Sequence, residues 1–97
     1  MFEGYGKLTC KAYFHYEGFF RNNMMDGQGW INYEDGSHYT GMFKEGNKHG
    51  AGVWHNKEEK YEGEWLEGER HGEGIFVDQE GQRFRLKYDR GQELSLL

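Results

Sequence analysis

The sequence has no proline, a single cysteine (Cys10) and no long hydrophobic run. A lone cysteine cannot form an internal disulfide, which favours an intracellular location. The longest apolar runs, such as Ile75-Phe76-Val77, contain three residues. Such runs are too short for a transmembrane helix or for the core of a signal peptide. We therefore expect a soluble, cytoplasmic protein.

Aliphatic side chains are also scarce, since only 35% of the 97 residues are hydrophobic and 18% of the chain is aromatic. A chain of this length forms one domain, and its low hydrophobicity alone would favour disorder. The aromatic content and the 16 glycines, which recur at regular intervals, argue against disorder because a flexible linker has no reason to space its glycines. The composition instead predicts a sheet in which aromatic rings supply the buried area.

Positive charge is in the minority, with 12 Lys and Arg against 17 Asp and Glu and a net charge of −5. The sequence shows no cationic stripe of the kind that binds nucleic acid, so nucleic acid is not an expected partner. Strong electrostatic binding to anionic lipid is disfavoured for the same reason. The acidic excess is concentrated between Glu58 and Glu80. We interpret it as a solvated face, with a site for a basic partner as the second interpretation.

Three copies of an aromatic pentamer give the chain an internal repeat of 22–23 residues. The copies are Tyr16-Glu17-Gly18-Phe19-Phe20, Tyr39-Thr40-Gly41-Met42-Phe43 and Tyr61-Glu62-Gly63-Glu64-Trp65. A Gly-x-Gly and an apolar pair follow each copy, at Gly27 to Ile31, Gly50 to Trp54 and Gly72 to Phe76. We assign one domain over residues 1–97, divided into a half-unit at 4–15, repeats at 16–38, 39–60 and 61–83, and a degenerate half-unit or cap at 84–97.

Each unit has the pattern of a β-hairpin. Apolar and polar residues alternate along the pentamer, and a turn follows with Gly46, Gly68 or Asn23, each suited to a left-handed backbone. The second repeat is one residue short and lacks an exit glycine, so its exit loop at 56–60 should differ. We predict an all-β fold, a single-layer antiparallel β-hairpin solenoid that forms a twisted, groove-bearing sheet of about eight strands. At ~4.8 Å per strand it would be roughly 38 Å long.

The pattern Tyr-Glu-Gly-x-Trp-x-x-Gly-x-x-x-Gly-x-Gly, carried whole by Tyr61 to Gly74, resembles the MORN (membrane occupation and recognition nexus) repeat. The resemblance extends over residues 4–91, with Asn23 in place of one turn glycine and Leu86 in place of a strand glycine. It implies a groove-bearing sheet used for recognition, often as a scaffold in cilia, flagella and other cytoskeletal or membrane-associated assemblies. Partners implied by the resemblance are peptides or helices in the groove, further copies of the array and phospholipids.

The candidate partner-binding residues are the repeated aromatic side chains and a pair of methionines that departs from the repeat. They are Tyr16, Phe20, Tyr39, Phe43, Tyr61, Trp65, Met24 and Met25. Rings on one face of a single-layer sheet should not all be buried by their neighbours, and exposed aromatic rows favour binding. A purely structural role for the rings is the alternative. We place the two methionines in the first hairpin turn, either as adaptable contacts or folded over the sheet edge.

Catalytic, metal and cofactor sites are not predicted. Equivalent histidines, such as His49 and His71, should lie two strands or about 9–10 Å apart, too far for a shared zinc ion. The Gly50-Ala51-Gly52 motif recurs with the repeat and lacks the third glycine of a dinucleotide loop. The carboxylates alternate along strands with no apolar pocket to shift their pKa values.

We therefore predict a non-enzymatic scaffold or adaptor within a larger complex, in a ciliary, flagellar or other cytoskeletal setting. The alternative is a peripheral membrane module that binds phosphoinositides through the basic cluster Arg83, Arg85, Lys87 and Arg90. Edge-to-edge self-association is a third hypothesis, because an open sheet presents unpaired strands at its ends. The apolar tail, Leu94 to Leu97, either covers the last edge or docks into a partner.

Overall fold

The computed structural model describes residues 3–11 and 13–96, with side chains through residue 94. It consists of one open antiparallel sheet in which nine strands follow one another in sequence order. The strands are β1 (Gly4–Cys10), β2 (Phe14–Arg21), β3 (Met24–Tyr33), β4 (His38–Lys44), β5 (Asn47–His55), β6 (Lys60–Leu66), β7 (Glu69–Val77), β8 (Arg83–Asp89) and β9 (Gln92–Leu96). Across these described residues there is no helix of the length and apolarity that a membrane span requires. The predicted fold class, an all-β single layer of hairpins, is confirmed.

The sheet has nine strands rather than about eight because the C-terminal segment forms a complete hairpin. β9 pairs with β8, with Ser95 opposite Lys87. Of the tail at 94–97, residues 94–96 therefore extend the sheet and cover the free edge of β8, while Leu97 lies outside the described residues. The longest dimension of the molecule is 43 Å, close to the length expected from the strand spacing.

The hairpins close with two-residue turns in which both residues have positive φ. In the first turn Asn22 and Asn23 have φ of 52° and 66°, and in the second Glu45 and Gly46 have φ of 50° and 88°. This is the type I′ geometry whose twist matches that of the flanking strands. The left-handed backbone predicted for Asn23 is confirmed. The turns are shorter than the sequence suggested, so Met24 and its neighbour Met25 begin β3 and do not lie in the turn.

The third of these turns offers a stabilising substitution. Glu67 has a φ of 50°, which a β-carbon makes unfavourable and which asparagine tolerates best among the non-glycine residues. We expect Glu67→Asn to raise the free energy of unfolding by about 0.5 kcal/mol in urea denaturation. Glu62→Asn, which removes the same charge from an extended position in β6, should lower it because asparagine is a poor strand former. A gain of equal size in both variants would assign the effect to charge.

Adjacent hairpins are tied together by their turns. Each turn glycine donates its backbone N–H to a carbonyl of the preceding hairpin: Gly46 to Met25 (2.9 Å), Gly68 to Lys48 (2.9 Å) and Gly91 to Arg70 (2.7 Å). A single hairpin is therefore incomplete without its neighbour, as is usual in repeat proteins.

The exit loop of the second repeat is one residue shorter than that of the third, as predicted. Asn56 donates its backbone N–H to the carbonyl of Glu59, whereas Asp78 donates to Gln82, one residue further along. The Asn56 side-chain oxygen also accepts a hydrogen bond from the Glu59 N–H (2.8 Å). The third loop uses a left-handed glycine, Gly81 (φ 83°), and the second has no equivalent.

The core lies on one face of the sheet, which we call the ring face. Its nine buried residues are Tyr16, Phe20, Ile31, Tyr39, Phe43, Tyr61, Trp65, Leu86 and Tyr88. A row of glycines crosses the middle of the sheet in register, pairing Gly41 with Gly52 and Gly52 with Gly63. The Tyr39 ring lies directly over Gly52, so that a β-carbon there would overlap the ring. The opposite side of the sheet, which we call the outer face, includes Tyr5, Glu17, Phe19, Met42, Val53, Glu62, Glu64, Glu73, Ile75, Arg85 and Lys87.

Candidate functional site

The rings of the ring face form a continuous zigzag of edge-to-face contacts. Phe43 contacts its own repeat's Tyr39 at a centroid distance of 5.1 Å and the preceding repeat's Tyr16 at 5.0 Å. Trp65 repeats this arrangement, at 5.6 Å from Tyr61 and 5.3 Å from Tyr39. The ring planes in these four pairs are 82–87° apart, the geometry in which a positive ring edge meets a negative ring face. The aromatic residues of neighbouring repeats therefore bury one another.

The expectation that a single layer would leave these rings exposed is wrong. Tyr16, Tyr39 and Tyr61 are 0% exposed, and Phe20, Phe43 and Trp65 are 8%, 4% and 6% exposed. The glycine row explains the difference, because it leaves room for each tyrosine to lie flat against the backbone, where the next repeat's ring covers it. These six residues form the packing core of the ring face, and their role in partner binding remains a prediction.

A border of half-buried apolar side chains surrounds the buried rings. It consists of Phe14, Met25, Tyr33, Trp54, Phe76 and Phe84. Of the candidate residues, only Met25 belongs to this border; Met24 is 40% exposed and lines a cavity with Met42 beside the first two hairpin turns. The sequence signal for Trp54 and Phe76 was the apolar pair after each Gly-x-Gly, in which the second residue shares the face of the tyrosines. This border is the apolar surface that the ring face presents.

Two cations also lie on the ring face, at equivalent positions of the second and third repeats. The Lys48 ammonium is 4.9 Å, 5.3 Å and 5.0 Å from the centroids of Tyr33, Tyr39 and Trp65. The Arg70 guanidinium lies over four rings, Tyr61 at 4.3 Å, Tyr88 at 5.4 Å, Trp54 at 5.5 Å and Trp65 at 6.0 Å. Both cations are half-buried, and Arg70 also donates a hydrogen bond to the Tyr88 hydroxyl (3.0 Å). Sequence reasoning missed them because it placed Met25, their equivalent in the first repeat, in a turn.

The hydroxyls of the buried tyrosines differ between repeats, which allows a matched pair of substitutions. Tyr39 donates to the carbonyl of Met42 (2.9 Å), whereas the buried Tyr61 hydroxyl has no hydrogen-bond partner among the described residues. We expect Tyr39→Phe to lower the free energy of unfolding by about 1 kcal/mol, and Tyr61→Phe to leave it unchanged or raise it slightly. Urea denaturation of the two variants tests this. Equal losses would contradict the difference between the two hydroxyls.

Burial of the tyrosines predicts a loss of stability in alkali. Burial raises the pKa of Tyr16 to about 12, and it raises the pKa of Tyr33 to about 12 with a smaller contribution from Asp35. An unfolded tyrosine ionises near pH 10, so above that pH the unfolded chain binds fewer protons than the folded one. The free energy of unfolding should therefore fall as the pH rises from about 10 to about 12. Urea denaturation followed across this range tests the prediction, and a constant unfolding free energy would contradict it.

The outer face carries a different mixture of groups. Near β1 it has an exposed apolar patch in which Tyr5 packs edge-on against Phe19 at 5.5 Å. Towards the C-terminal strands it carries exposed charges of both signs, Glu62, Glu64 and Glu73 together with Arg85 and Lys87. Part of the acidic excess therefore lies on the side of the sheet opposite the aromatic border, while Glu58, Glu59, Glu67, Asp78 and Glu80 lie in the turns and loops between strands.

The metal-ligating side chains of the described residues lie in pairs along the sheet. Within them, no three His, Cys, Asp or Glu side chains come together in an arrangement that would hold a metal ion. His38 and His55 stack at a centroid distance of 5.0 Å on adjacent strands, and His71 lies 3.7 Å from Asp89. These are pairwise contacts along the sheet.

The family comparison agrees with this architecture. The model of the MORN repeat matches the chain at residues 16–38, 39–56 and 61–83. The three matches together span more than half of the chain, and each begins at the tyrosine of one pentamer. No curated protein matches the chain significantly. The chain belongs to the MORN repeat family, whose repeats are in general modules that bind proteins or membranes.

Proposed function

We propose that this protein is a non-enzymatic scaffold or adaptor that holds a helix or peptide of a partner protein against its ring face. The observation that supports this proposal is the half-buried border on an uncovered face. The sheet is a single open layer, and within the described chain each strand contacts its sequence neighbours and no second layer. An apolar surface that its own fold leaves uncovered is a common feature of interaction sites.

The test uses neighbouring residues on opposite faces of the same strands. Trp54 and Phe76 belong to the ring-face border, whereas Val53 and Ile75 lie beside them on the outer face. We expect a cross-linked pull-down from cells that express the protein to recover a partner with wild type and with Val53→Ala/Ile75→Ala. Recovery should fall about tenfold or more with Trp54→Ala/Phe76→Ala, because aromatic anchors carry most of an interface's energy.

Circular dichroism of both double variants is the control for folding. Partner recovery that is equal for the two folded variants would contradict a binding role of the ring face. The binding site would then be sought on the outer face, where Met24 and Met42 line a cavity of about 570 Å³.

The proposed setting is a cytoplasmic complex in a cilium, flagellum or other cytoskeletal assembly, and it rests on the family resemblance. Localisation of the native protein by immunofluorescence, before and after gentle detergent extraction, tests it. Retention on an axoneme or another cytoskeletal structure is the expected result. A diffuse signal that is lost on extraction would contradict it.

A second candidate function is phosphoinositide binding. Arg83, Arg85 and Lys87 alternate with the buried residues of β8 and therefore share the outer face, but the Arg85 guanidinium lies 3.5 Å from the Glu73 carboxylate. Liposomes containing phosphoinositides should bind wild type and lose binding when the three cations and Arg90 are replaced by glutamine. Failure of wild type to bind would eliminate this function.

Edge-to-edge self-association is compatible with either function, since β1 and β9 pair on one side only within the described residues. Light scattering that reports a monomer at high protein concentration would eliminate it.

A further inference from the structure

The two cations of the ring face, Lys48 and Arg70, have no anionic partner in the part of the chain that the structure describes. The ion pairs among the described residues are His71 with Asp89 and Arg85 with Glu73, and neither includes a ring-face cation. Among the described Lys and Arg residues only Arg85 forms such an ion pair, but Lys48 and Arg70 are the two whose side chains are half-buried and not exposed. Glu62, Glu64 and Glu73 lie on the outer face, whereas Glu93 in β9 lies opposite Tyr88, at the position equivalent to Lys48 and Arg70 in the last half-unit.

The surroundings of Lys48 make the unpaired charge costly. Burial lowers the pKa of the Lys48 ammonium, and the nearby Arg70 charge lowers it further. The aromatic rings compensate for part of the lost hydration, but a half-buried cation among apolar groups gains most from a carboxylate. An arriving anion would also reduce the repulsion between Lys48 and Arg70.

We propose that the partner segment is an acidic amphipathic helix, with one carboxylate on Lys48 and another on Arg70. This inference rests on the proposed function and specifies the chemistry of its partner. It differs from the basic partner that the acidic segment offered as its second interpretation, because the half-buried charges of the ring face are cations.

The spacing of the two cations sets the spacing of the carboxylates. Lys48 and Arg70 occupy equivalent positions in β5 and β7, two strands apart, which corresponds to about 9.6 Å. The Lys48 ammonium and the Arg70 guanidinium also lie 5.0 and 6.0 Å from the centroid of the Trp65 ring. The distance between the two charged groups therefore cannot exceed the sum of these two distances. Residues seven apart on a helix share a face and are separated by about 10.5 Å. We therefore expect two acidic residues at positions i and i+7.

The first repeat adds an apolar contact to this pattern. Met25 takes the position that Lys48 and Arg70 take in the later repeats. Met25 lies opposite Phe20, just as Lys48 lies opposite Phe43 and Arg70 lies opposite Trp65. Beside Met25, an open cavity of about 250 Å³ is lined by Phe14, Ile31, Tyr33 and Phe43, with Lys48 in its wall. We therefore expect the partner helix to carry a large apolar residue near the first repeat. This residue should lie seven positions beyond the acidic residue that contacts Lys48.

A display library of random peptides about 20 residues long, long enough to span the three repeats as a helix, tests this inference on the full chain. Peptides are selected on wild-type protein, and their dissociation constants are then measured for Lys48→Met and Arg70→Met, which introduce the residue that the first repeat carries. Lys60→Met is the matched control. Lys60 is an exposed cation on the outer face, opposite His55 and Val77 in the strand register. Circular dichroism and urea denaturation establish that each variant is folded.

The expected result is enrichment of amphipathic peptides with two acidic residues seven apart. Their affinity should fall about tenfold or more for either ring-face variant and stay unchanged for Lys60→Met. Replacing the peptide glutamate opposite Lys48 by glutamine should weaken binding to wild type but not to Lys48→Met, because both changes remove the same ion pair.

Two contrary outcomes separate the inference from the proposed function. Enriched peptides that are basic or neutral, and that depend on Trp54 but not on Lys48, would overturn the acidic partner and leave ring-face binding intact. Enriched peptides that bind Trp54→Ala as well as they bind wild type, or a library that yields no binder, would contradict the proposed function itself.

Discussion

Replacing Gly52 with alanine is expected to lower the free energy of unfolding by roughly 3 kcal/mol or more. A β-carbon at this position would overlap the phenol ring of Tyr39, and that ring is 0% exposed. The ring cannot move away, because Phe43 and Trp65 hold it edge-on at 5.1 and 5.3 Å. The strand cannot move away either, because β5 is paired on both sides, with Gly52 opposite Gly41 of β4 and Gly63 of β6. The clash must therefore be absorbed by separating the repeats.

Gly81→Ala is the matched control for this prediction. The chemical change is the same, but a β-carbon on Gly81 would meet no atom within 4 Å, and the residue has a φ of 83°. The expected cost is about 1 kcal/mol, from the left-handed backbone alone. Urea denaturation of both variants gives the comparison. A Gly52→Ala variant as stable as Gly81→Ala would show that the tyrosine does not lie over the strand in solution.

The local features of this fold follow from the sequence because neighbouring residues determine them. Asn23 at the place of a turn glycine indicated the left-handed turn, and a missing residue in the second repeat indicated the different exit loop at 56–60. The single layer of hairpins followed from the repeat length, since a unit of 22–23 residues has room for two strands and two turns. Each of these inferences requires no contact between distant parts of the chain.

The burial of the rings could not be predicted in the same way, because it depends on contacts between repeats. Tyr39 is covered by Phe43 of its own repeat and by Trp65 of the next, and the glycine row determines how closely they approach. A pattern of alternating residues assigns these rings to one face and does not say how much of that face remains accessible. Among the apolar residues of the ring face, the accessible ones are therefore border residues such as Trp54 and Phe76, and these are the contacts that we propose for a partner.

The positions of the two cations were available from the sequence in principle. Lys48 lies four residues before Gly52, so strand alternation places both on one face, and the bulge between β4 and β5 preserves that relation by pairing Gly41 with Gly52 and Phe43 with Lys48. This inference fails if the second hairpin turn is assigned too many residues, because strand alternation does not assign turn residues to a face of the sheet. A turn that ends at Gly46 puts Lys48 inside β5 and onto the ring face.

Replacing both Tyr39 and Trp65 with alanine is expected to leave the chain unfolded. Truncating one buried aromatic residue costs about 3–5 kcal/mol, and a small domain has about 5–15 kcal/mol in total. The two rings also contact each other at 5.3 Å, so the variant loses the packing between the second and third repeats. Circular dichroism should show no cooperative thermal transition.

Tyr13→Ala is the aromatic control for this variant, because Tyr13 is 67% exposed and its truncation should change the free energy of unfolding by no more than about 0.5 kcal/mol. A folded Tyr39→Ala/Trp65→Ala protein would mean that the stacked rings are dispensable for the sheet and free to serve a partner. An unfolded one would mean that loss of binding in that variant says nothing about the binding site. Border residues such as Trp54 would then be the ones through which binding to the ring face can be measured.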